Sequence, residues 1–282
     1  MQNSMSTVFK YSNAHGLNIL TNLELKVTPP NQFNDPFEFM AHTICSKPLR
    51  WANQYFNEEK TRELWTSCLL EGSFKGDLIA FQKQFKSNRP RFINEWIIPQ
   101  MNRAIVHAQN GAIDDISKAL GVVCLSRKWD SLLMWGHYCD KHQGIVIGFD
   151  DTATVFKSGL GLRAVEYESA RIPLDLSAIL PPKDKDKLND RIMFTKNEEW
   201  SYEKEVRQIF HLRSMRQRKM TDGKIGYFCP IPPEAIVSVY LGVKCSSTLE
   251  ADVQAALAAP QLSHVRLSRV HLHDSEFRLD CV

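Results

Sequence analysis

The sequence predicts an α+β fold with a mixed β-sheet as its core and a helical insertion in the first half of the chain. Strand-like and helix-like segments alternate at the N-terminus and again after residue 120. Between residues 49 and 120 the apolar residues instead recur at three- and four-residue intervals, which is helical spacing. Because no internal repeat is visible, residues 1–282 are predicted to form a single domain with the insertion at about 49–120.

The first elements have the order strand, helix, strand. Residues 8–11 read as a short strand, and the polar residues 13–16 precede a short helix that carries Leu17 and Leu20. Residues 25–27 alternate like a second strand, which the two following prolines end. In the insertion that comes next, aromatic residues such as Trp65 stand at helical intervals among charged residues.

Strand character returns after the insertion. Residues 121–126 are predicted to form a strand and residues 131–140 a helix, and the continuous apolar run 144–149 is typical of a strand buried on both faces. A further strand is predicted at 164–167, and the charged run 183–191 is predicted to form a loop that leads into a helix.

The last third of the chain continues the same alternation. Residues 208–212 read as a strand, and two late strands are predicted at 235–241 and 265–272. The helix between these late strands is predicted at 249–258.

The composition is that of an ordinary globular protein, with 43% apolar and 24% charged residues. A formal net charge of +3 does not indicate a nucleic-acid partner, and the basic run 213–219 is typical of a solvated loop, although a phosphate-rich partner stays open. Seven scattered cysteines without a CxxC pair predict reduced thiols and argue against structural zinc, with Cys124 and Cys139 as buried packing residues. No apolar stretch approaches the roughly 20 residues of a membrane helix, and residues 1–7 do not resemble a secretory signal, so the predicted location is the cytoplasm.

Two of the three candidate site segments lie before residue 140. Residues 32–38 form an Asn-Asp-Pro turn, in which Asn34 and Asp35 are either capping residues or polar contacts at the mouth of a pocket. Ser126 ends a predicted strand, and Tyr138 on the next helix can stack on a planar ligand or pack in the core. Within that helix Trp135 fits a core position equally well, and His137 alone is weak evidence for a catalytic base.

The third candidate segment is 200–207. If it is extended, the two-residue period of a strand directs Glu203, Glu205 and Arg207 to one face, where the cluster of charge predicts chemistry. If it is helical, Glu203 and Arg207 form an ordinary surface ion pair instead.

These segments resemble the bacterial family known as domain of unknown function 2971, whose name supplies no activity. The matching segments are Phe9-Lys10-Tyr11, the turn 33–38, Cys124-Leu125-Ser126, the helix segment 134–138, the apolar run 144–149, and 200–207. Together they span most of the chain outside the helical insertion.

The layout also resembles, more distantly, the ADP-ribosyltransferase fold. In that fold three separated strands supply a nicotinamide-contacting residue, a serine or tyrosine element, and a late glutamate. The resemblance implies Lys10 or Tyr11 at the first position, Ser126 and Tyr138 at the second, and Glu205 at the third. Lys10 departs from the arginine or histidine that is usual at the first position. A lysine binds phosphate as a point charge and lacks the bidentate fork of arginine.

The resemblance implies that NAD is a co-substrate and that Glu205 accepts a hydrogen bond from its ribose and stabilises the developing positive charge. Glu203 would then orient or deprotonate the acceptor, and Arg207 would keep both carboxylates ionised. Tyr138 would stack on nicotinamide, and Ser126 would support Glu205 by a hydrogen bond. Asn34 and Asp35 would join the cofactor-binding residues, with Trp135 and His137 as structural support.

Three functions follow as hypotheses. The first is an ADP-ribosyltransferase acting on a protein or nucleic acid, or an NAD glycohydrolase; a toxin or antiviral defence effector with a neutralising partner would fit it. The second is a nuclease in which Asp35, Glu203 and Glu205 hold Mg²⁺. The third is a non-catalytic sensor or interaction module whose helical insertion presents aromatic residues to a partner.

Overall fold

The computed structural model describes residues 6–48, 50–51, 58–92, 94, 98, 105, 111, 113–178 and 181–281. Two compact units divide the chain between them. The first comprises Met1–Phe39, Asp114–Ala170 and Met193–Val282, and the second comprises Met40–Ile113 and Arg171–Ile192.

The strands of the described residues, in chain order, are β1 (Thr7–Ser12), β2 (Glu24–Val27), β3 (His42–Ile44), β4 (Leu120–Ser126), β5 (Ile145–Asp150), β6 (Arg163–Ala164), β7 (Glu166–Glu168), β8 (Pro173–Asp175), β9 (Thr195–Asn197), β10 (Glu205–His211), β11 (Arg216–Lys219), β12 (Ile225–Pro230), β13 (Ile236–Leu241), β14 (Arg266–Leu272) and β15 (Leu279–Cys281). The α-helices include α1 (Leu17–Asn22), α2 (Glu58–Leu70), α3 (Leu78–Ser87), α4 (Arg89–Phe92), α5 (Leu132–Tyr138), α6 (Thr154–Lys157), α7 (Pro182–Phe194) and α8 (Ser247–Leu257).

An eight-stranded sheet in the order β15-β14-β13-β5-β1-β4-β10-β6 forms the centre of the first unit. Adjacent strands in this sheet are antiparallel, except β13 and β14, which are parallel. β5 lies near the middle, and five of its six residues are buried, as its continuous apolar sequence predicts. The prediction of a mixed sheet accompanied by helices is therefore confirmed.

Two smaller sheets complete the first unit. β11, β12 and β2 form a three-stranded antiparallel sheet, and β7 pairs in parallel with β9. Thr28, directly after β2, forms an isolated bridge with Val122 of β4. This bridge joins the three-stranded sheet to the large one.

The alternation of side chains along the central strands gives the large sheet two apolar faces. On one face, Val123, Leu125 and Val206 join the largest hydrophobic cluster. On the other face, Phe9 and Tyr11 of β1 pack against helix α5. The candidate site lies on this second face, because Glu205 and Arg207 alternate with Val206.

The second unit contains the described helices of the predicted insertion. Phe81 and Phe85 are buried with Cys68, and Trp65 packs against this small cluster. These aromatic side chains form a local core, which is a different role from presentation to a partner. Residues 52–57 and several residues between 93 and 112 lie outside the described part of the chain.

Most predicted elements have counterparts in the structure. Asn13 caps a short 3-10 turn that leads into α1, and Ser131 caps α5 by accepting a hydrogen bond from the Met134 amide. The predicted strand at 164–167 is two short strands, β6 and β7.

Two element predictions are wrong. The charged run 183–191 is not a loop, because Pro182–Phe194 forms helix α7. The basic run 213–219 is not a loop, because Arg216–Lys219 forms the edge strand β11, although all four side chains are solvent-exposed as predicted.

The cysteines are all free thiols, as predicted, and Cys139 is buried, whereas Cys124 is only partly so. Among the described residues, no helix is long and apolar enough to cross a membrane.

Candidate functional site

The site begins where the chain enters β10. Residues Glu198–Glu203 form a 3-10 helix, and Lys204 adopts a left-handed conformation with φ 44° before the strand starts. Glu203 therefore precedes the strand, and only Glu205 and Arg207 share its two-residue period. The extended interpretation of this segment is confirmed from Glu205 onward, and the exposed helical ion pair is wrong because Glu203 and Arg207 are both buried.

Lys196 on β9 is the centre of a buried ionic cluster. Its Nζ atom lies 2.8 Å from Glu38 Oε1, 2.6 Å from Glu203 Oε2 and 3.1 Å from Glu205 Oε2. An ammonium group has three N–H donors, so one donor is available for each carboxylate. The Lys196 side chain is only 4% exposed, and water therefore contributes little to its solvation.

Arg207 completes the cluster from the strand. Its Nε donates to Glu205 Oε1 at 2.7 Å, while its Nη2 lies 3.0 Å from Glu38 Oε1 and 3.1 Å from Glu205 Oε2. Nη1 donates to the backbone carbonyl of Met193 at 2.9 Å. The guanidinium is thus held on several sides, which supports the prediction that Arg207 is a supporting residue.

The charges in the cluster set one another's pKa values. Burial alone would raise the pKa of Glu205, but Arg207 and Lys196 outweigh it and lower that pKa to about 2. The three carboxylates likewise outweigh the burial of Lys196 and raise its pKa. Burial raises the pKa of Glu38, and the Glu205 charge adds to this effect. At neutral pH Glu205 is therefore ionised, and Lys196 and Arg207 are charged.

Glu203 is held by the second candidate segment. The Tyr138 hydroxyl on α5 donates to Glu203 Oε1 at 2.6 Å, and the Asn34 amide donates to the Tyr138 oxygen at 3.4 Å. The buried Ser126 hydroxyl donates to the Glu203 backbone carbonyl at 2.6 Å. The prediction that Ser126 bonds to Glu205 is therefore wrong: the two residues are paired in the strand register, but the hydroxyl positions Glu203.

A cavity of about 550 Å³ lies beside the cluster. Its lining residues come from β1, β4, α5, the turn after β2 and the segment 196–205, and they are Phe9, Lys10, Tyr11, Thr28, Gln32, Phe33, Asn34, Glu38, Val122, Cys124, Leu125, Met134, His137, Tyr138, Lys196, Trp200, Glu203 and Glu205. Carboxylates, an ammonium group and several aromatic rings therefore meet at one concave surface.

The cavity follows from a divergence between two neighbouring strands. β1 and β4 pair at a single position, Phe9 with Ser126, whereas β4 pairs with β10 along its whole length. Beyond the Phe9–Ser126 pair, the Lys10 ammonium donates to the Cys124 carbonyl at 2.9 Å. A side chain therefore spans the gap between β1 and β4 where backbone hydrogen bonds would otherwise join the two strands. The Thr28 bridge to Val122 lies farther along β4, on the same wall of the cavity.

The predicted site residues fall into two sets. Lys10, Tyr11, Asn34 and Tyr138 line the cavity with both glutamates. Asp35 does not join them: it is buried and its Oδ1 accepts a hydrogen bond from the Phe37 amide at 2.9 Å. For Asp35 the capping interpretation of the turn is correct.

The aromatic residues of α5 have separate roles. Trp135 is fully buried and its Nε1 donates to the Trp129 carbonyl at 2.7 Å, so it is a core residue. His137 lines the cavity, and its Nδ1 lies 3.1 Å from the Tyr202 hydroxyl. Tyr11 is buried and its hydroxyl donates to the Lys128 carbonyl at 2.9 Å, which fixes the loop after β4.

The sequence did not identify Lys196 as a site residue, and it indicated Glu38 only as part of a turn. Glu38 follows the Asn-Asp-Pro turn and is only 6% exposed. A glutamate is rarely so buried unless it is paired, and here Lys196 and Arg207 are its partners. Lys196 lies four residues before Trp200, whose ring centroid is 4.8 Å from its Nζ. The aromatic residues around the glutamates were the available signal, since they favour a dry environment in which a cation is needed.

The described residues contain no group of three or more His, Cys, Asp or Glu side chains that could hold a metal ion. The triad proposed for a nuclease does not assemble, because Asp35 is buried in its own turn and does not line the cavity that Glu203 and Glu205 line. The Lys196 ammonium bridges the two remaining glutamates.

Part of the candidate site lies in a segment that matches the model of a known protein family. The model of the family described as protein of unknown function (DUF2971) matches residues 134–208, which confirms the resemblance predicted from the sequence. This range contains Tyr138, Lys196, Glu203, Glu205 and Arg207. Neither the curated proteins nor the solved structures contain a match to the chain.

Proposed function

We propose that this protein is an NAD-consuming enzyme that transfers ADP-ribose to a macromolecular acceptor, with hydrolysis of NAD as its nearest variant. The observation that carries the proposal is the convergence of three strand segments on one cavity. Lys10 and Tyr11 of β1 and Glu205 of β10 line this cavity together with Tyr138 of α5, and β4, which ends at Ser126, lies between the two strands in the order β1-β4-β10. This is the set of segments that the resemblance to ADP-ribosyltransferases requires.

The size and lining of the cavity suit a nucleotide co-substrate. Ligand sites commonly have volumes of about 300–1,000 Å³ and combine aromatic walls with a few directed polar groups. Here Phe33, Trp200 and Tyr138 supply aromatic surface, and Lys10 supplies a positive charge. Lys10 can attract a phosphate, because its bond to the Cys124 carbonyl uses one of its three donors.

Glu205 has the charge that the proposed reaction needs. Cleavage of the bond between nicotinamide and ribose develops positive charge on the sugar, which a nearby anion stabilises. The lowered pKa keeps Glu205 ionised throughout the physiological range. Its Oε1 accepts a hydrogen bond from Arg207 Nε, and a carboxylate oxygen can accept a second one, which a ribose hydroxyl would donate in this proposal.

Glu203 is the better candidate for activating the acceptor. Each of its carboxylate oxygens accepts one hydrogen bond, from Tyr138 and from Lys196, and each keeps a second lone pair. Lys196 is a positioning residue in this proposal, because one ammonium holds both glutamates at fixed positions. Without it the two carboxylates would repel each other in a site of low dielectric constant.

Mass spectrometry of cellular macromolecules tests the class and the acceptor together. Protein, DNA and RNA are compared from cells that express wild type or Glu205→Gln, with Lys10→Ala as a second variant at the opposite wall of the cavity. An ADP-ribose increment on one fraction, present for wild type and lost with Glu205→Gln, is expected. If no fraction carries the increment and purified wild type neither binds NAD nor releases nicotinamide, the proposal is refuted.

A further inference from the structure

One β-hairpin carries a marked excess of positive charge. Residues 213–230, which contain β11 and β12, carry five basic side chains and one acidic side chain, a local charge of +4. The whole chain carries +3, so the rest of it has a net charge of −1. A small overall charge therefore conceals a strongly basic local surface.

The register of the three-stranded sheet places several basic side chains on its outer face. Arg216 is opposite Phe228, Phe228 is opposite Lys26, and Arg218 follows Arg216 by one strand period. The alternate residues of β2 and β12 point the other way, into the largest hydrophobic cluster. Arg216, Arg218 and Lys26 are all exposed.

Contacts with neighbouring side chains hold Arg218 in place on the hairpin. The Arg218 guanidinium lies 4.1 Å from the centre of the Phe228 ring, and its Nη1 lies 3.1 Å from Glu24 Oε1. Beside it, Arg213 and Lys219 are exposed on the same segment, and Lys224 follows the turn of the hairpin. Asp222 is the one acidic residue within the hairpin, and Glu24 of the neighbouring strand β2 offsets the charge of Arg218.

We infer that the outer face of this hairpin binds the phosphate backbone of a nucleic acid. Three of the five basic residues are arginines, whose planar forks match phosphate oxygens. Insertion into a membrane interface fits less well, because it needs an apolar face. Ile225 is the one large apolar side chain that is strongly exposed within the described hairpin.

The position of the hairpin relates this surface to the cavity. β11 lies two strand spacings from β2, which is about 10 Å. Thr28, directly after β2, lines the cavity. If the proposed transferase function holds, a nucleic acid bound along β11 would be the acceptor; the binding itself does not depend on that function.

Fluorescence anisotropy without NAD tests the inference. Labelled single-stranded RNA, single-stranded DNA and duplex DNA of about 20 units are titrated with the full-length protein between about 50 and 200 mM KCl. The test variant is Lys26→Glu/Arg216→Glu, which reverses two exposed charges on the outer face. The matched control is Lys157→Glu/Lys244→Glu, which changes two exposed lysines of the same unit and lowers the net charge equally.

We expect wild type to bind at least one of these nucleic acids, with affinity that falls as salt rises. The outer-face variant should bind about tenfold or more weakly, with a salt slope reduced by about 1 to 2, whereas the control should change by less than about threefold. Lys26→Arg/Arg216→Lys retains the charge and should bind nearly as wild type, which separates loss of charge from misfolding.

No binding by wild type at low salt, or equal losses in the two charge-reversed variants, would overturn the inference. Binding to vesicles that contain phosphatidylserine, without binding to nucleic acid, would overturn it as well. Intact nucleic-acid binding in a protein that releases no nicotinamide would remove the proposed enzyme activity and leave the hairpin site standing.

Discussion

Replacement of Lys196 by methionine is the sharpest perturbation of the ionic cluster. Methionine keeps a similar length and apolar stem but removes the ammonium that contacts Glu38, Glu203 and Glu205. With all groups ionised, the cluster changes from a net charge of −1 to −2, and Arg207 becomes its only cation. The variant therefore contains uncompensated buried negative charge.

The expected loss of stability is large. Removal of one partner from a buried ion pair typically costs about 3–5 kcal/mol, because the remaining charge is left without compensation. Three carboxylates lose a partner here, so we expect a loss at the upper end of that range. Globular proteins have unfolding free energies of about 5–15 kcal/mol, so the variant should remain folded but unfold at a much lower urea concentration.

The loss should also depend on pH. Without the ammonium, the pKa values of the neighbouring carboxyls rise in the folded state, so the folded protein binds protons more readily than the unfolded chain. A raised carboxyl pKa contributes stability at low pH and loses it as pH rises through the folded-state value. The difference between wild type and Lys196→Met should therefore be smaller near about pH 5 than near about pH 8.

Urea denaturation followed by tryptophan fluorescence at both pH values measures these effects. The matched control is Lys60→Met, which removes a lysine from a partly exposed ion pair with Glu63 and should cost less than about 1 kcal/mol. The double variant Lys196→Met/Glu38→Gln removes one carboxylate and should recover part of the loss. A cost for Lys196→Met equal to that of the control, or one independent of pH, would refute the cluster as described.

Three further predictions concern the partners of the glutamates. Tyr138→Phe removes the hydroxyl that donates to Glu203 and should cost about 1–2 kcal/mol in urea denaturation, with a greater proportional loss of nicotinamide release. Ser126→Ala leaves the Glu203 carbonyl and the Lys128 amide without this buried partner, so a cost of about 1–3 kcal/mol is expected; a cost near zero would contradict the assigned hydrogen bonds. The lowered pKa of Glu205 contributes stability above the ordinary carboxyl pKa of about 4 that is lost as pH falls toward about 2, so the stability difference between wild type and Glu205→Gln should shrink over that interval in acid-titrated urea curves.

The sheet core could be predicted from the sequence because burial imposes a local pattern. β5 is a run of apolar residues, and helix α5 carries its serine cap and its buried aromatic residue at helical positions. The edge strand β11 has no such pattern: its residues are Arg-Gln-Arg-Lys, and β12 on one side alone supplies its pairing. An edge strand with an exposed sequence cannot be told from a loop by apolar periodicity.

The site was predictable where its residues alternate along one strand. Glu205 and Arg207 were assigned to one face by the two-residue period, and they occupy it. Glu203 lies at the same cavity for a different reason: it ends a 3-10 helix, and the left-handed conformation of Lys204 separates it from the strand. The predicted cluster was therefore correct in its members and wrong in the local structure of its first residue.

Lys196 could not be identified from the sequence of β9 alone, because its burial depends on tertiary contacts. It follows the charged helix α7, where a lysine is ordinary, and its neighbours along β9 give no sign of burial. Glu38 lies far from it in the sequence, yet the two side chains meet at 2.8 Å. Two charged residues become a site only when the fold removes water from both.

Nicotinamide release by purified protein tests the central claim most directly. Wild type and Glu205→Gln are incubated with NAD and candidate acceptors, and free nicotinamide is measured by chromatography after urea denaturation has shown that both proteins are folded. The claim predicts release by wild type and a loss of about 100-fold or more in the variant, the scale expected when a charge-stabilising group is removed. Equal release by the two folded proteins, or no release with any acceptor, would contradict it.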